Sequence, residues 1–113
     1  MVHVVLRLLP TDLIAENRSH DERLVRQAQM GDAQAFASLF ALHRAAVKRF
    51  LVDLLIDREL AQDALQETFV RAQVALSRLN EGHRFRAWIF GIARNVAFEC
   101  RREWKFEAID GDE

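Results

Sequence analysis

The chain has 113 residues, half of them hydrophobic, enough for one compact domain with one core and too short for two ordinary domains. Gly totals four and Pro one while Leu, Ala, Arg and Glu dominate, which favours an all-α bundle of about four helices over any sandwich, barrel or doubly wound sheet. The formal net charge of -1 conceals segregation: Arg84, Arg86, Arg94, Arg101, Arg102 and Lys105 outweigh Glu99 and Glu103 in the last helical stretch, giving it about +4.

Residues 1–18 match no clean period and are expected to form an arm, either disordered or docked as an extra helix. Their apolar start lacks a basic leader, and Pro10 and Asp12 interrupt it well short of a spanning length, so neither a signal peptide nor a membrane-inserted helix is expected. Ser19 and Glu22 form a capping-box pattern that predicts a short helix through about Met30, with Leu24, Val25 and Ala28 inward and Gly31 ending it in the left-handed conformation. Asp32 then caps a long second helix in which Phe36, Leu39, Phe40, His43, Val47, Phe50, Leu51 and Leu54 recur at steps of three and four. His43 falls on that apolar face and reads as a hydrogen-bonded core or boundary histidine.

Asp57 caps a third helix to about Leu79, with Ala61, Leu65, Thr68, Phe69, Ala72, Leu76 and Leu79 inward. Its other face carries Glu59, Asp63, Gln66, Glu67, Val70, Val74 and Ser77, an acidic and amidic strip with two exposed valines that suits protein docking or an ordinary solvated face. Asn80, Glu81, Gly82, His83 and Arg84 form a turn-rich loop, which either connects two helices or closes a pocket over the next helix's free N–H groups.

The stretch Phe85 to Lys105 reads as one helix with two faces. Phe85, Ile89, Ile92, Val96 and Cys100, with Trp88 at the margin, point to the core; Arg86, Phe90, Arg94, Phe98, Arg101 and Lys105 form a basic, aromatic stripe. Cations neutralise phosphates and flat rings stack on unpaired bases, so the stripe suits single-stranded or opening DNA better than closed duplex. The competing reading is a helix buried on two sides. Beyond it, residues 106–113 with Glu107, Asp110, Asp112 and Glu113 are expected to leave the fold as an acidic linker or tail.

An enzyme is not expected, and no cofactor, metal or catalytic residue is assigned: the four histidines lie far apart, there is no Gly-rich phosphate loop, and Glu99 and Glu103 make no convincing acid–base pair. Cys100 is the sole cysteine, which precludes an internal disulfide, fits a buried thiol and points to a reducing cytoplasm.

Two motifs go further. Asp63-Ala64-Leu65-Gln66-Glu67-Thr68-Phe69-Val70-Arg71-Ala72 and Phe85-Arg86-Ala87-Trp88-Ile89-Phe90-Gly91-Ile92-Ala93-Arg94-Asn95, in this order and spacing, closely resemble region two of the extracytoplasmic-function sigma factors of bacterial RNA polymerase. The resemblance covers about Asp21 to Glu103 within a domain set at 19–105. It implies a non-enzymatic, bacterial, cytoplasmic and nucleoid-associated helical domain that binds core RNA polymerase, recognises and melts the minus-ten promoter element, and is held by an anti-sigma factor. Glu59, Asp63, Gln66, Glu67, Val70 and Val74 would contact the clamp helices of the largest polymerase subunit. Asn80, Glu81, Gly82, His83 and Arg84 would surround a flipped-out base of the non-template strand. Arg86, Phe90, Arg94, Asn95 and Arg101 would lie along that strand, and Trp88 would pack beneath the loop. Family members commonly carry an acidic residue at Gln62, an aromatic at Gln73 and a basic residue at Gly91. They also carry a second helical domain for the minus-thirty-five element, so the chain is expected to be a fragment. The alternative is a sigma-mimic module that binds an anti-sigma factor without touching DNA.

Overall fold

The computed structural model describes the backbone of residues 10–111 and the side chains of residues 16–102. Among the described residues four α-helices follow one another: α1 (Pro10–Gln29), α2 (Ala33–Leu55), α3 (Arg58–Ala75) and α4 (Phe85–Gly111), with short 3-10 turns at Leu76–Arg78 and Gly82–Arg84 between α3 and α4. The all-α bundle expected from composition is the one observed. Among the described residues no helix is long and apolar enough to cross a membrane.

The helix boundaries follow local chemistry. Asp32 Oδ1 accepts from the Gln34 and Ala35 N–H groups at 3.0 and 3.3 Å, and Asp57 Oδ1 accepts from Glu59 and Leu60 at 2.9 and 3.1 Å, so both predicted caps are formed. At the end of α1, Gly31 adopts φ +98°, its N–H donates to Ala28 O, and the Asp32 N–H donates back to Gln27 O, the Schellman pattern that uses two orphan carbonyls. The end of α2 reaches the same left-handed geometry without a glycine: Ile56, 89 % exposed, sits at φ 56°, where a β-branched side chain is strained.

Two boundaries differ from expectation. The first helix begins at Pro10, not Ser19, so much of the expected arm is helical. Proline is tolerated in the first helical turn because its missing N–H would have had no partner there, so Pro10 starts the helix instead of interrupting it. At the other end α4 continues to Gly111, and the backbone expected to leave the fold from residue 106 is helical. Residues 1–9, Asp112 and Glu113 lie outside the described residues, as do the side chains of Glu103, Lys105, Glu107 and Asp110.

The core is where the sequence period put it, with small residues added. Val25 from α1, Leu39, Val47 and Leu51 from α2, Leu65 and Phe69 from α3, and Phe85, Ile89 and Val96 from α4 are buried together. Ala64, Ala93 and Ala97 are also buried, which lets α3 and α4 approach closely, whereas Ile92 and Cys100 are only half-buried. His43 is the hydrogen-bonded core histidine expected. Its Nε2 donates to both carboxylate oxygens of Asp21 at 3.0 Å, its ring lies 5.1 Å from the Phe85 ring, and its Nδ1 is buried without a hydrogen-bond partner. This buried pair ties α1 and α2 at the start of α4.

A half-exposed ion triad joins α3 to α4. Arg71 donates in a fork to Glu99 at 2.6 and 3.2 Å and to Glu67, one turn earlier, at 2.9 Å. The hydrogen bonds from Arg71 hold the Glu99 carboxyl below its ordinary range against the opposing effect of burial, with smaller coulombic help from Arg71 and Arg102.

Candidate nucleic-acid and partner interfaces

On α4 the expected stripe is present in altered form. Arg86, Arg94, Asn95 and Arg101 are exposed, and at 1.5 Å rise per residue Arg86 and Arg94 stand about 12 Å apart along the axis. The two phenylalanines are not free plates. Arg86 lies over the Phe90 ring and Arg94 over the Phe98 ring, each with its guanidinium carbon 5.1 Å from the ring centroid. Phe90 is also half-buried, edge-on to Phe50 of α2 at 5.1 Å, while Phe98 stays 40 % exposed. Each ring thus holds the arginine one helical turn before it, a contact worth about 0.5–1 kcal/mol at an exposed site. The rings restrict the guanidinium groups that would meet phosphates, and one face of Phe90 is already covered by Arg86.

The loop divides along its length between residues that line a hollow and residues that do not. Asn80, Glu81 and Arg84 line a shallow concavity of about 470 Å³ together with Leu79, Ala87 and Trp88; Gly82 and His83 do not. The Arg84 guanidinium donates to Glu81 at 2.8 Å, which sets a carboxylate and a cation side by side on the rim. Trp88, tilted against Phe85 at 5.8 Å between ring centroids, offers this concavity part of its indole. Expected only beneath the loop, Trp88 is a wall of the hollow; its position at the margin of the helical wheel was the available signal.

Gly82 is committed elsewhere. A Cβ built there would stand 3.1 Å from Val25 Cβ and 3.3 Å from Glu22 Cα, so the loop backbone rests directly on α1. From the same helix, Gln29 Nε2 donates to the carbonyl oxygens of Leu76 and Leu79 at 2.9 and 2.8 Å. The N–H groups of Arg84 and Phe85 are also used, donating to Glu81 O and Gly82 O within the 3-10 turn. The start of α4 therefore presents fewer free donors than a bare helix N-terminus would.

A second surface lies on α3. Glu59, Asp63, Gln66, Glu67, Val70 and Val74 are all exposed as predicted, with Val70 at 50 % and Val74 at 76 %. Their flank is a groove of about 350 Å³ against α2, where Phe36, Phe40 and Arg44 meet Gln62, Gln66 and Gln73. The helical period places Phe36 and Phe40 with the core residues of α2 and gives no sign of this groove. Phe36 and Phe40 are half-buried, because helical period assigns a direction but not the width of the covering neighbour.

Residues 39–105 match the sigma-70 region 2 family. The chain belongs to this family. The match begins within α2, so α1, with Asp21 and Gln29, stands ahead of it. Among similar curated proteins, the RNA polymerase sigma-H factor of Pseudomonas aeruginosa is 32 % identical over 80 residues, 71 % of this chain and 42 % of that protein. The ECF RNA polymerase sigma factor SigM of Bacillus subtilis is 32 % identical over 75 residues, 66 % of this chain and 45 % of its own. The RNA polymerase sigma factor CarQ of Myxococcus xanthus is 38 % identical over 72 residues, 64 % of this chain and 41 % of its own. This region 2 chain spans less than half the length of these relatives, and its similarity to the ECF sigma factor SigM agrees with what its two motifs imply. No solved structure matches it.

Proposed function

We propose that this region 2 chain is the promoter-melting part of an extracytoplasmic-function sigma factor, docking on core RNA polymerase and capturing unpaired non-template bases of the minus-ten element. One observation carries the reading: within a sigma-70 region 2 domain, exposed Arg84, Arg86, Arg94 and Arg101 gather on the loop and α4, while exposed Glu59, Asp63 and Glu67 gather on α3. The first set suits a polyanionic strand. The second, with Val70 and Val74, suits a protein and would be repelled by DNA.

In mechanism, Arg86 and Arg94, held by Phe90 and Phe98, neutralise phosphates of the opened strand, with Asn95 and Arg101 extending the track. One unstacked base enters the hollow beside Trp88, where the Asn80 amide, the Glu81 carboxylate and the Arg84 guanidinium meet its edge. Extruding a base costs a few kcal/mol, which stacking and edge hydrogen bonds offset. No bond is made or broken by the domain, so it needs no catalytic group, metal or cofactor. The α3 strip, Glu59, Asp63, Gln66, Glu67, Val70 and Val74, meets the clamp helices of the largest polymerase subunit.

The test uses the full chain with bacterial core polymerase and random single-stranded oligonucleotides. Arg86→Ala and Arg94→Ala should weaken binding across sequences, whereas Asn80→Ala should change which base is preferred at one position. A uniform effect of Asn80→Ala would count against the base pocket. Capture of an anti-sigma factor without polymerase would favour the sigma-mimic reading.

A further inference from the structure

We propose that Gln29 of α1 is a positioning residue for base selection, acting through the loop that it never joins. This rests on the promoter-melting reading and adds a residue to it. The chain between α3 and α4 is held at two places, both by α1. At its start the Gln29 amide donates to Leu76 O and Leu79 O at 2.9 and 2.8 Å, and further on Gly82 is seated against Val25 and Glu22. Between those points stand Asn80 and Glu81, two of the polar groups lining the hollow beside Trp88.

The chemistry of the clamp is specific. Two converging carbonyl oxygens can be met only by a donor, so the NH2 group and not the amide oxygen of Gln29 faces them. Leu76 O already accepts from the Leu79 N–H at 3.1 Å, so the Gln29 bond there adds a second donor to the same carbonyl. The Leu79 carbonyl belongs to the peptide unit that leads into Asn80, and fixing it fixes the direction in which the Asn80 Cα leaves the 3-10 turn. A freely rotating peptide at that point would let the Asn80 amide present its donor and acceptor to a base in several registers. Held, it presents them in one, which is what discrimination between bases requires. Gln29 itself does not line the hollow, and being exposed it has little part in the core.

The inference separates donation from mere occupancy through two variants. Gln29→Glu keeps the shape and removes the donors; Gln29→Lys keeps donors at the end of a flexible stem. The full chain, bound to core polymerase, is offered a pool of short single-stranded oligonucleotides of random sequence, and the bound fraction is sequenced. Base preference is a ratio within one protein, so a uniform change in strand affinity from the altered charge cancels. Gln29→Glu should flatten the preference at one position by about fivefold, the scale of one or two lost hydrogen bonds, and Gln29→Lys should restore most of it. In the free chain, amide exchange at Leu79, whose N–H shares the Leu76 carbonyl with Gln29, should quicken in Gln29→Glu and stay near the parent rate in Gln29→Lys. Sharp selection by the parent and equally sharp selection by Gln29→Glu would overturn this inference alone, as would flattening that Gln29→Lys fails to restore. Absence of any base preference in the polymerase-bound parent would instead sink the promoter-melting reading and this inference with it.

Discussion

The outer strip of α3 and the basic stripe of α4 belong to neighbouring helices of one bundle, yet they are built differently. The α3 strip is assembled from side chains that stand alone: apart from the Glu67–Arg71 pair, none of its exposed side chains is hydrogen-bonded or ion-paired among the described residues, and two of them are bare valines. The α4 stripe and its loop are pre-arranged, with Arg86 on Phe90, Arg94 on Phe98, Arg84 on Glu81, and the loop pinned to α1. A protein partner can supply the complementary order for the first surface. A flexible single strand brings little order of its own, so on the proposed reading the second surface holds its cations and pocket in place before the strand arrives.

That contrast can be broken at its shared foundation. His43→Ala leaves the Asp21 carboxyl buried without its partner and removes the ring packed on Phe85, and should lower unfolding stability in denaturant by about 3 kcal/mol, weakening both surfaces together. Asp63→Lys combined with Val74→Asp should act on one surface only. Capture by core polymerase should fall about tenfold, some 1.4 kcal/mol, with single-strand contacts and the unfolding midpoint little changed.

Arg94→Ala is the matching change on the other surface, removing a phosphate contact and its ring partner. Strand binding should weaken by about 1 kcal/mol at moderate salt, with the slope against log salt reduced by about 0.7, and polymerase capture should be unaffected. Gly91→Arg sharpens the contrast in the opposite sense. A side chain there meets nothing within 4 Å, so the substitution should raise stability by about 0.7 kcal/mol, relieving a mid-helix glycine, while adding a cation to the stripe.

The smallest effect is that of pH. Glu99 is held below the ordinary carboxylate range by Arg71, so the stabilisation this gives is present above that range and lost as pH falls through the lowered value. Both partners are some two-fifths exposed, and solvent screening limits the contribution to about 0.5 kcal/mol. Glu99→Gln should therefore match the parent in strong acid and fall slightly below it at neutral pH, as followed by thermal unfolding.

Much of this was legible in the residues. Asp32 and Asp57 declared the starts of α2 and α3 through side chains that bond only to adjacent N–H groups, and the stepped apolar pattern of α2 and α4 named Leu39, Val47, Leu51, Ile89 and Val96 as core. Gly31 declared its own turn. What could not be read depended on contacts across sequence. Nothing local to Asp21 or Gln29 says that one will meet His43 and the other the carbonyls after α3, because those partners come together only when the helices pack. Phe90 was assigned to the open stripe because a helical wheel has no knowledge of Phe50. Pro10 misled for a simpler reason: the same residue breaks a helix interior and starts a helix well.

The central claim is that one surface engages the polymerase so that the other can hold an unpaired strand. It is tested most directly by titrating the chain, with and without bacterial core polymerase, against matched promoter-length DNA that is either fully paired or carries an unpaired central segment. The account predicts tight, salt-sensitive preference for the unpaired form that depends on polymerase and is lost in Arg86→Ala with Arg94→Ala. Equal binding to paired and unpaired DNA, or failure to associate with the polymerase at all, would contradict it.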